Sequence, residues 1–189
     1  MRQFFASTLE VLEVALVALG AVFLIRTFLI QPFLVSGESM SPNFSNGDYL
    51  LVDELSYYLR TPARGEVVVF RYPKNESTYF IKRIIGLPNE RVSFQDGKVD
   101  VFNSVHPQGE VLDERYLPAG LGTSIRPGAP AEFALGPNEY LALGDNRSYS
   151  YDSREWGVLP TKDIVGLVRL RLWPLGDMTV FAAPSYSIK

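Results

Sequence analysis

Residues 65–72 read GEVVVFRY and residues 79–86 read YFIKRIIG, and these two runs decide the fold class. Both are short and rich in β-branched and aromatic residues, a composition that favours strands. Gly, Pro, Asn and Asp punctuate the chain between such runs, as they do in turns. Five more runs of this kind are DYLLVDE at 48–54, ERVSF at 90–94, KVDVF at 98–102, EYLALG at 139–144 and IVGLVRLRLW at 164–173.

The remainder of the chain after residue 32 supports a mainly β fold. VRLRLW at 168–173 alternates apolar and charged residues, as a half-buried strand does. No helical stripe of comparable length appears after residue 60, and residues 119–137 are rich in Gly and Pro, which predicts a surface loop. We therefore expect a β-sandwich or barrel-like domain over residues 32–189.

The composition excludes several classes of function. With 189 residues, 47% hydrophobic and 21% charged, the chain has the composition of a globular protein with a sizeable core. A net charge of −3 does not suggest a nucleic-acid partner. There is no cysteine and only one histidine, His106, so disulfides, a cysteine nucleophile and a metal site built on several histidines are excluded.

The N-terminal region has a different character and predicts a single membrane span. Val14–Ile25 carries no charge, Arg26 interrupts the apolar run, and the run continues to Ile30 before Pro32 favours a helix end. A helix over Val14–Ile30 would be about 25 Å long, near the thickness of the hydrocarbon core. We expect an N-terminal segment at 1–31 that contains a transmembrane helix over about 14–30.

Two other interpretations of this region remain. A buried core helix is compatible with an uncharged stretch of this length. A cleavable signal peptide is disfavoured by Glu10 and Glu13 beside Arg2, and by the lack of a small-residue A-x-A site after the run. The charges alone define the orientation poorly, since only Arg2 and the amino terminus precede the run.

A serine in a segment directly after the apolar run is a candidate nucleophile. Ser39 lies in SGESMSP at 36–42, but a serine hydroxyl needs a neighbouring base. His106 sits in a turn-rich stretch and no GxSxG motif occurs, so histidine is a poor candidate for that base. Lysine is the established alternative, provided that burial makes it neutral. Lys82 has apolar neighbours in YFIKRII, although a strand lysine more often faces water.

Gly37 has a possible catalytic use as well. Acyl transfer needs donors aimed at the developing oxyanion, backbone N–H groups can supply them, and glycine lets the backbone come close to a substrate. By itself, however, SGESMSPN is read more simply as a turn that leads to the first strand.

Taken together, the segments resemble the type I signal peptidases over most of the chain. The apolar run is followed in the family order by G-x-S-M-x-P at 37–42, R-G-E-V-V-V-F at 64–70, K-R-I-I-G-L-P at 82–88, and G-D-N-R-x-x-S-x-D-S-R-x-W-G at 144–157. Each motif is of modest specificity. Their joint occurrence at these spacings makes coincidence very improbable.

The resemblance implies a role for each matching residue. Ser39 would be the nucleophile, Lys82 the general base, and Ser150 a serine that hydrogen-bonds and orients that lysine. Asp145, Asp152 and Arg154 would support the site through ion pairs and hydrogen bonds, since Arg147 and Arg154 alongside the two carboxylates argue against a carboxylate pair that transfers protons. Met40 would adjoin the substrate pocket.

The implied reaction is the removal of signal peptides from preproteins at the lipid bilayer. Cleavage would follow a small residue of an A-x-A site through an acyl-enzyme, with no metal and no cofactor. The resemblance also implies a single-pass protein of the cell membrane, with its N-terminus in the cytoplasm and its catalytic domain outside. The chain departs from some family members at Gly37, where they have a serine that assists the oxyanion, and at Asn43, which is often threonine.

Two rival functions remain open from the sequence. A self-cleaving serine–lysine peptidase of the repressor type shares the chemistry, but no DNA-binding segment is present and the apolar run argues against it. A membrane-tethered β-domain that binds partners without catalysis would not need Ser39 at all.

Overall fold

The computed structural model describes residues 10–20, 30–184 and 186. Residues 10–20 are helical (α1), and the side chains of this segment are exposed. Residues 21–29 are not among the described residues. The predicted membrane span over about 14–30 thus lies partly outside them. Within residues 10–20, 30–184 and 186, no helix combines the length and apolar character needed to cross a bilayer.

The described part of the chain is mainly β, as the sequence predicts, and forms two antiparallel sheets. The larger sheet contains β1 (Ile30–Leu34), β2 (Tyr49–Asp53), β3 (Val67–Tyr72), β4 (Asn75–Gly86), β9 (Glu139–Leu143), β10 (Leu159–Pro160), β11 (Ile164–Trp173) and β12 (Thr179–Val180). Its order is β1-β2-β11-β3-β4-β9-β10, with β12 paired to β11. The β-rich part begins at Ile30, two residues before the predicted boundary.

The smaller sheet follows β4 in the chain. It contains β5 (Arg91–Gln95), β6 (Lys98–Phe102), β7 (Glu110–Val111) and β8 (Glu132–Ala134), in the order β7-β6-β5-β8. Two single-turn helices, α2 (Ser56–Leu59) and α3 (Ser153–Trp156), complete the described part with 3-10 turns at Thr161–Asp163 and Leu175–Asp177.

All seven predicted runs form strands, and β3 shows why its run is apolar throughout. Val67 and Val69 pack into one core cluster with Leu50 and Val168. Val68, the residue between them, points to the opposite face and a second cluster. A strand that is buried on both faces carries apolar residues on both, so polar and apolar residues do not alternate along it. In β11, by contrast, Arg169 is exposed and part of the strand alternates apolar and charged residues.

One predicted loop needs correction, and one strand was missed where the predicted helix ends, since Ile30 is the first residue of β1. The loop predicted at 119–137 contains β8, which pairs with β5 through Val92 and Phe133. β1 was not predicted because it contains Pro32, which lacks an N–H for a ladder hydrogen bond. Its place at the edge of the larger sheet allows the proline, since one side of the strand has no neighbouring strand among residues 10–20, 30–184 and 186.

The β3–β4 hairpin positions the candidate site. In its register Val68 is opposite Lys82 and Val67 is opposite Arg83. Burial increases along β4, from exposed residues near Asn75 to buried ones from Lys82 onward. Lys82 therefore lies where the strand enters the interior, close to the turn that follows β1.

Candidate active site

Ser39 and Lys82 lie side by side in the structure. Ser39 sits half-buried in the turn after β1, and Lys82 comes from the middle of the larger sheet. The Lys82 Nζ donates a hydrogen bond of 2.7 Å to Ser39 Oγ. A hydroxyl and an amine at this distance can exchange a proton directly, which is the geometry that a nucleophile and its base require.

The environment of Lys82 favours its neutral form. The residue is only 3% exposed, its Nζ donates a second hydrogen bond of 2.8 Å to the Ile81 carbonyl, and the Phe80 ring is 5.4 Å away. Burial, the largest contribution, lowers the pKa of Lys82 to about 8, while the negative charges of Asp152 and Asp145 act to raise it. A substantial fraction of the amine is therefore unprotonated in mildly alkaline solution.

A groove of about 300 Å³ opens above this pair. Ser39 and Lys82 line it together with Gly37, and aromatic residues contribute much of its wall. Tyr149, which is 81% exposed, and Tyr151 stand at its rim on either side of Ser150. Such an open, mainly apolar groove is the kind of concave site in which proteins bind ligands.

Asp145 supports the site through a partner that is remote in sequence. Its carboxylate accepts hydrogen bonds from Arg83 Nε at 2.8 Å and Nη2 at 2.6 Å, and from Asn43 Nδ2 at 2.8 Å. The structural ion pair expected for Asp145 is formed with Arg83 and not with the neighbouring Arg147, which binds Glu114 at 2.8 Å instead. The bidentate pair ties β4 to the loop that begins at Gly144.

Asp152 pairs with Arg154, as the sequence suggests, and it also organises the backbone. Its carboxylate accepts from Arg154 Nε and Nη2, both at 2.8 Å, and caps α3 by accepting from the Arg154 amide. The Gly144 amide donates to the same carboxylate at 3.0 Å. Arg154 in turn donates to the carbonyls of Ser124 and Arg147, each at 2.8 Å.

Ser150 lies next to the dyad, but its hydroxyl is not engaged. The side chain is buried, and Ser150 Oγ has no hydrogen-bond partner among the described residues 10–20, 30–184 and 186. The hydrogen bond to Lys82 that the resemblance implies is therefore not formed in this arrangement. A buried hydroxyl without a partner carries a desolvation cost.

Gly37 and Met40 flank the nucleophile in different ways. Gly37 has a φ of 98°, which favours glycine, and its N–H donates to Asn46 Oδ1 at 2.9 Å. That N–H is thus already occupied. Met40 is 1% exposed and belongs to the core cluster behind the groove, where its sulfur accepts from the Asp145 amide at 3.4 Å.

His106 is remote from this chemistry. Its Nδ1 lies 2.8 Å from a Glu110 carboxylate oxygen, and it does not line the groove. Among the described residues, no group of three or more His, Cys, Asp or Glu side chains is arranged to hold a metal ion.

Sequence reasoning assigned no role to Gly144, Asn146 or Arg83, although all three lie in the quoted motifs. Asn146 donates from its side chain to the Glu38 carbonyl and from its backbone to the Ser39 carbonyl. Arg83 is the partner of Asp145. The motifs at 82–88 and 144–157 contain these residues and could have drawn attention to them. The contacts that these residues make are distant in sequence, and local patterns do not encode them.

Gly144 leaves no space for a side chain. A Cβ at this position would overlap Ser150 Oγ and the Ser39 carbonyl oxygen. We expect Gly144→Ala to lower the free energy of unfolding by about 1–3 kcal/mol, as overpacking does, and to reduce the turnover of any Ser39-dependent reaction at least about tenfold by displacing the nucleophile. Thermal unfolding and an activity assay measure the two effects.

Gly176→Ala is the matched control, because nothing lies within 4 Å of a Cβ there. Unchanged stability and activity in Gly144→Ala would contradict the tight contact between Gly144, Ser39 and Ser150.

Comparisons with known proteins agree with the motifs. Residues 8–173 match the family described as signal peptidase, peptidase S26. A probable signal peptidase I-2 of Synechocystis sp. is 38% identical over 161 residues, covering 80% of this chain and 66% of the relative. Signal peptidase I of Leptolyngbya laminosa is 33% identical, covering 85% of this chain and 77% of the relative.

Two further proteins are similar to parts of this chain. Signal peptidase IB of Staphylococcus aureus is 31% identical, covering 85% of this chain and 87% of the relative. A crystal structure of a signal peptidase I from Enterococcus faecalis V583 aligns with a TM-score of 0.45 at 24% identity, covering 58% of this chain and 97% of that one.

Proposed function

The chain belongs to the type I signal peptidases of peptidase family S26, and from that premise we propose that it is a membrane-bound serine endopeptidase that removes signal peptides from exported preproteins. The observation that carries the proposal is the 2.7 Å hydrogen bond between Lys82 Nζ and Ser39 Oγ at the floor of an open groove. Ser39 is the nucleophile and Lys82 is the general base.

In the first half of the reaction, neutral Lys82 takes the proton of the Ser39 hydroxyl while Ser39 Oγ attacks the scissile carbonyl. The carbonyl oxygen becomes an oxyanion, and the Ser39 backbone N–H is a suitable donor to it. The resulting ammonium gives its proton to the leaving amine, the C–N bond breaks, and an ester to Ser39 remains.

In the second half, Lys82 activates a water molecule that attacks the ester. The C–O bond to Ser39 breaks, the signal peptide leaves with a new carboxylate, and the Ser39 hydroxyl is restored. No metal and no cofactor takes part in these steps. Asp145, Asp152 and Arg154 act by holding the loop at 144–156 against the dyad.

Cleavage after a small residue of an A-x-A site follows from the same proposal. The groove is lined by bulky aromatic groups such as Tyr79 and Phe80, so that small side chains in the substrate leave room for its backbone to approach Ser39. The preprotein would reach this groove from the bilayer.

We also propose that the sequence around Val14–Ile30 forms the membrane anchor of the N-terminal segment 1–31, with the N-terminus in the cytoplasm and the peptidase domain at 32–189 outside. The apolar character of that run supports the anchor, and residues 10–20 are helical. An enzyme with this arrangement acts on substrates that are themselves held in the membrane.

The proposal is tested with the full chain in detergent and a preprotein that has an A-x-A site. We expect a single cut directly after the last small residue, detected by mass spectrometry of both products. A folded protein that leaves several such preproteins intact, in detergent and in lipid, would overturn the peptidase assignment in favour of a tethered, non-catalytic domain. Cutting of its own chain at one internal bond would instead favour the self-cleaving class.

The pH dependence follows from the lowered pKa of Lys82. Because the base acts in its unprotonated form and its pKa is about 8, kcat/KM should rise about tenfold per pH unit in acid and level off above about pH 8. Steady-state rates over a wide pH range, with thermal unfolding as a check that the protein stays folded, measure this. A profile that is flat from acid to alkaline would contradict a lysine base.

A further inference from the structure

The backbone around the nucleophile is held by one residue from a distant loop. Asn146 Nδ2 donates to the Glu38 carbonyl at 3.0 Å, and the Asn146 backbone N–H donates to the Ser39 carbonyl at 3.1 Å. These two carbonyls are the peptide oxygens on either side of the Ser39 Cα. Asn146 therefore fixes both peptide planes that flank the nucleophile.

The orientation of the Glu38 carbonyl determines that of the Ser39 N–H. The peptide bond between Glu38 and Ser39 is trans, since the cis bonds in the described chain precede Pro42 and Pro174. In a trans peptide the N–H points opposite to the C=O. A hydrogen bond that holds the Glu38 oxygen thus also sets the direction in which Ser39 N–H can donate.

That N–H is the available backbone donor beside the nucleophile. The Gly37 N–H is occupied by Asn46 at 2.9 Å. Within residues 10–20, 30–184 and 186, no group accepts a hydrogen bond from the Ser39 N–H. It therefore remains free to bind an oxygen of a ligand in the groove that Glu38 and Ser39 line.

The peptide needs such a restraint. The plane of the Glu38–Ser39 peptide is set by the backbone torsions at Glu38 and Ser39, and Gly37, with its φ of 98°, lies one residue earlier and brings no side chain that could restrain the turn. Glu38 and its carbonyl lie in an exposed turn, where the Ser41 amide supplies a second, longer bond of 3.2 Å. Without the Asn146 side chain, that longer bond alone would hold the plane.

We propose that Asn146 is a positioning residue, which orients the Glu38–Ser39 peptide so that the Ser39 N–H is preorganised to donate to the oxyanion. It touches neither the substrate nor the reacting atoms. The inference rests on the proposed peptidase function and adds to it a residue that acts on the transition state through the backbone. Preorganised donors of this kind stabilise the developing charge far more than the ground state.

The test is Asn146→Ala in the full chain, measured with a cleavable A-x-A substrate and with a peptide aldehyde that ends in the same small residue. Ser39 Oγ adds to the aldehyde carbon, its proton passes to Lys82, and the aldehyde oxygen becomes a tetrahedral oxyanion. We expect kcat and aldehyde affinity each to fall by roughly 10- to 100-fold, with KM unchanged and the same pH midpoint.

Asn103→Ala is the control, because its side-chain amide also donates one hydrogen bond, to Glu90 at 3.0 Å, and accepts from the Val105 and His106 amides, all away from Ser39. Its kcat and aldehyde affinity should match those of the wild type. Asn146→Asp provides a second variant that keeps the side-chain shape and the backbone N–H, and it should show the same losses when assayed on the alkaline plateau.

Several results would contradict the positioning role of Asn146. A folded Asn146→Ala or Asn146→Asp with unchanged kcat overturns it, as does a fall in kcat without a fall in aldehyde affinity. A shifted pH midpoint in Asn146→Ala would mean that Asn146 acts through Lys82 instead. If the wild type cleaves and the variants do too, only this inference fails, whereas a wild type that cleaves no preprotein removes the proposed function first.

Discussion

Ser39→Ala should abolish cleavage of an A-x-A preprotein, with a loss of roughly 10⁴- to 10⁶-fold in kcat. The variant lacks the oxygen that forms the acyl-enzyme, so that only the slow attack of water on a bound peptide remains. The fold should be unaffected, because Ser39 is half-buried and its Oγ bonds only to Lys82 in the described structure. Product formation and thermal unfolding are measured on the same preparation.

Ser36→Ala is the matched control for this change. Ser36 is an exposed serine that lines the same groove three residues earlier, and its loss should leave kcat within about twofold of wild type. Cleavage by Ser39→Ala at the wild-type rate would remove Ser39 as the nucleophile. An intact biological phenotype in that variant would favour a tethered domain that binds partners without catalysis.

Lys82→Arg and Lys82→Met should both be inactive, for opposite reasons. Arginine keeps the positive charge but cannot give up its proton, whereas methionine keeps the length and apolar stem but has no basic nitrogen. We expect at least about a 10³-fold loss of kcat in each, since general-base catalysis and the activated nucleophile are lost together. The measurement is the same cleavage assay, extended to alkaline pH.

Stability should separate the two lysine variants. Lys82 is almost fully buried, and an ammonium there is desolvated, so Lys82→Met should be at least as resistant to thermal unfolding as the wild type. A residue whose removal stabilises the fold and stops the reaction is retained for its chemistry. Lys98→Arg, at an exposed lysine of the smaller sheet, is the control; full activity in Lys82→Arg would contradict the lysine-base assignment.

The regular part of the fold was accessible from the sequence because its signals are local. Every run of β-branched and aromatic residues that was singled out forms a strand, since such residues fit a pleated, buried surface. β1 and β8 were missed for an equally local reason. Pro32 and the Gly- and Pro-rich stretch around β8 carry turn signals that tertiary pairing overrides.

The site was less accessible, because its decisive contacts are distant in sequence. Local patterns offered Arg147 as the partner of Asp145, but β4 places Arg83 there, 62 residues away. The burial of Lys82 could not be derived from YFIKRII alone, since a strand residue faces either the core or water according to register. The resemblance pointed to Ser39, Lys82 and Ser150, whose roles are predictions that no local pattern supplies.

The hydrogen bond between the Asn146 side chain and the Glu38 carbonyl affects when the site forms during folding. It joins residues 108 positions apart, and the contact between Lys82 and Ser39 joins residues 43 positions apart. Contacts of such high sequence separation require the closure of large loops, which makes them entropically expensive early in folding. A chain that is still being synthesised lacks the segment at 144–157 until late. We therefore expect nascent and partly folded molecules to be inert, so that maturation itself protects neighbouring polypeptides from premature hydrolysis.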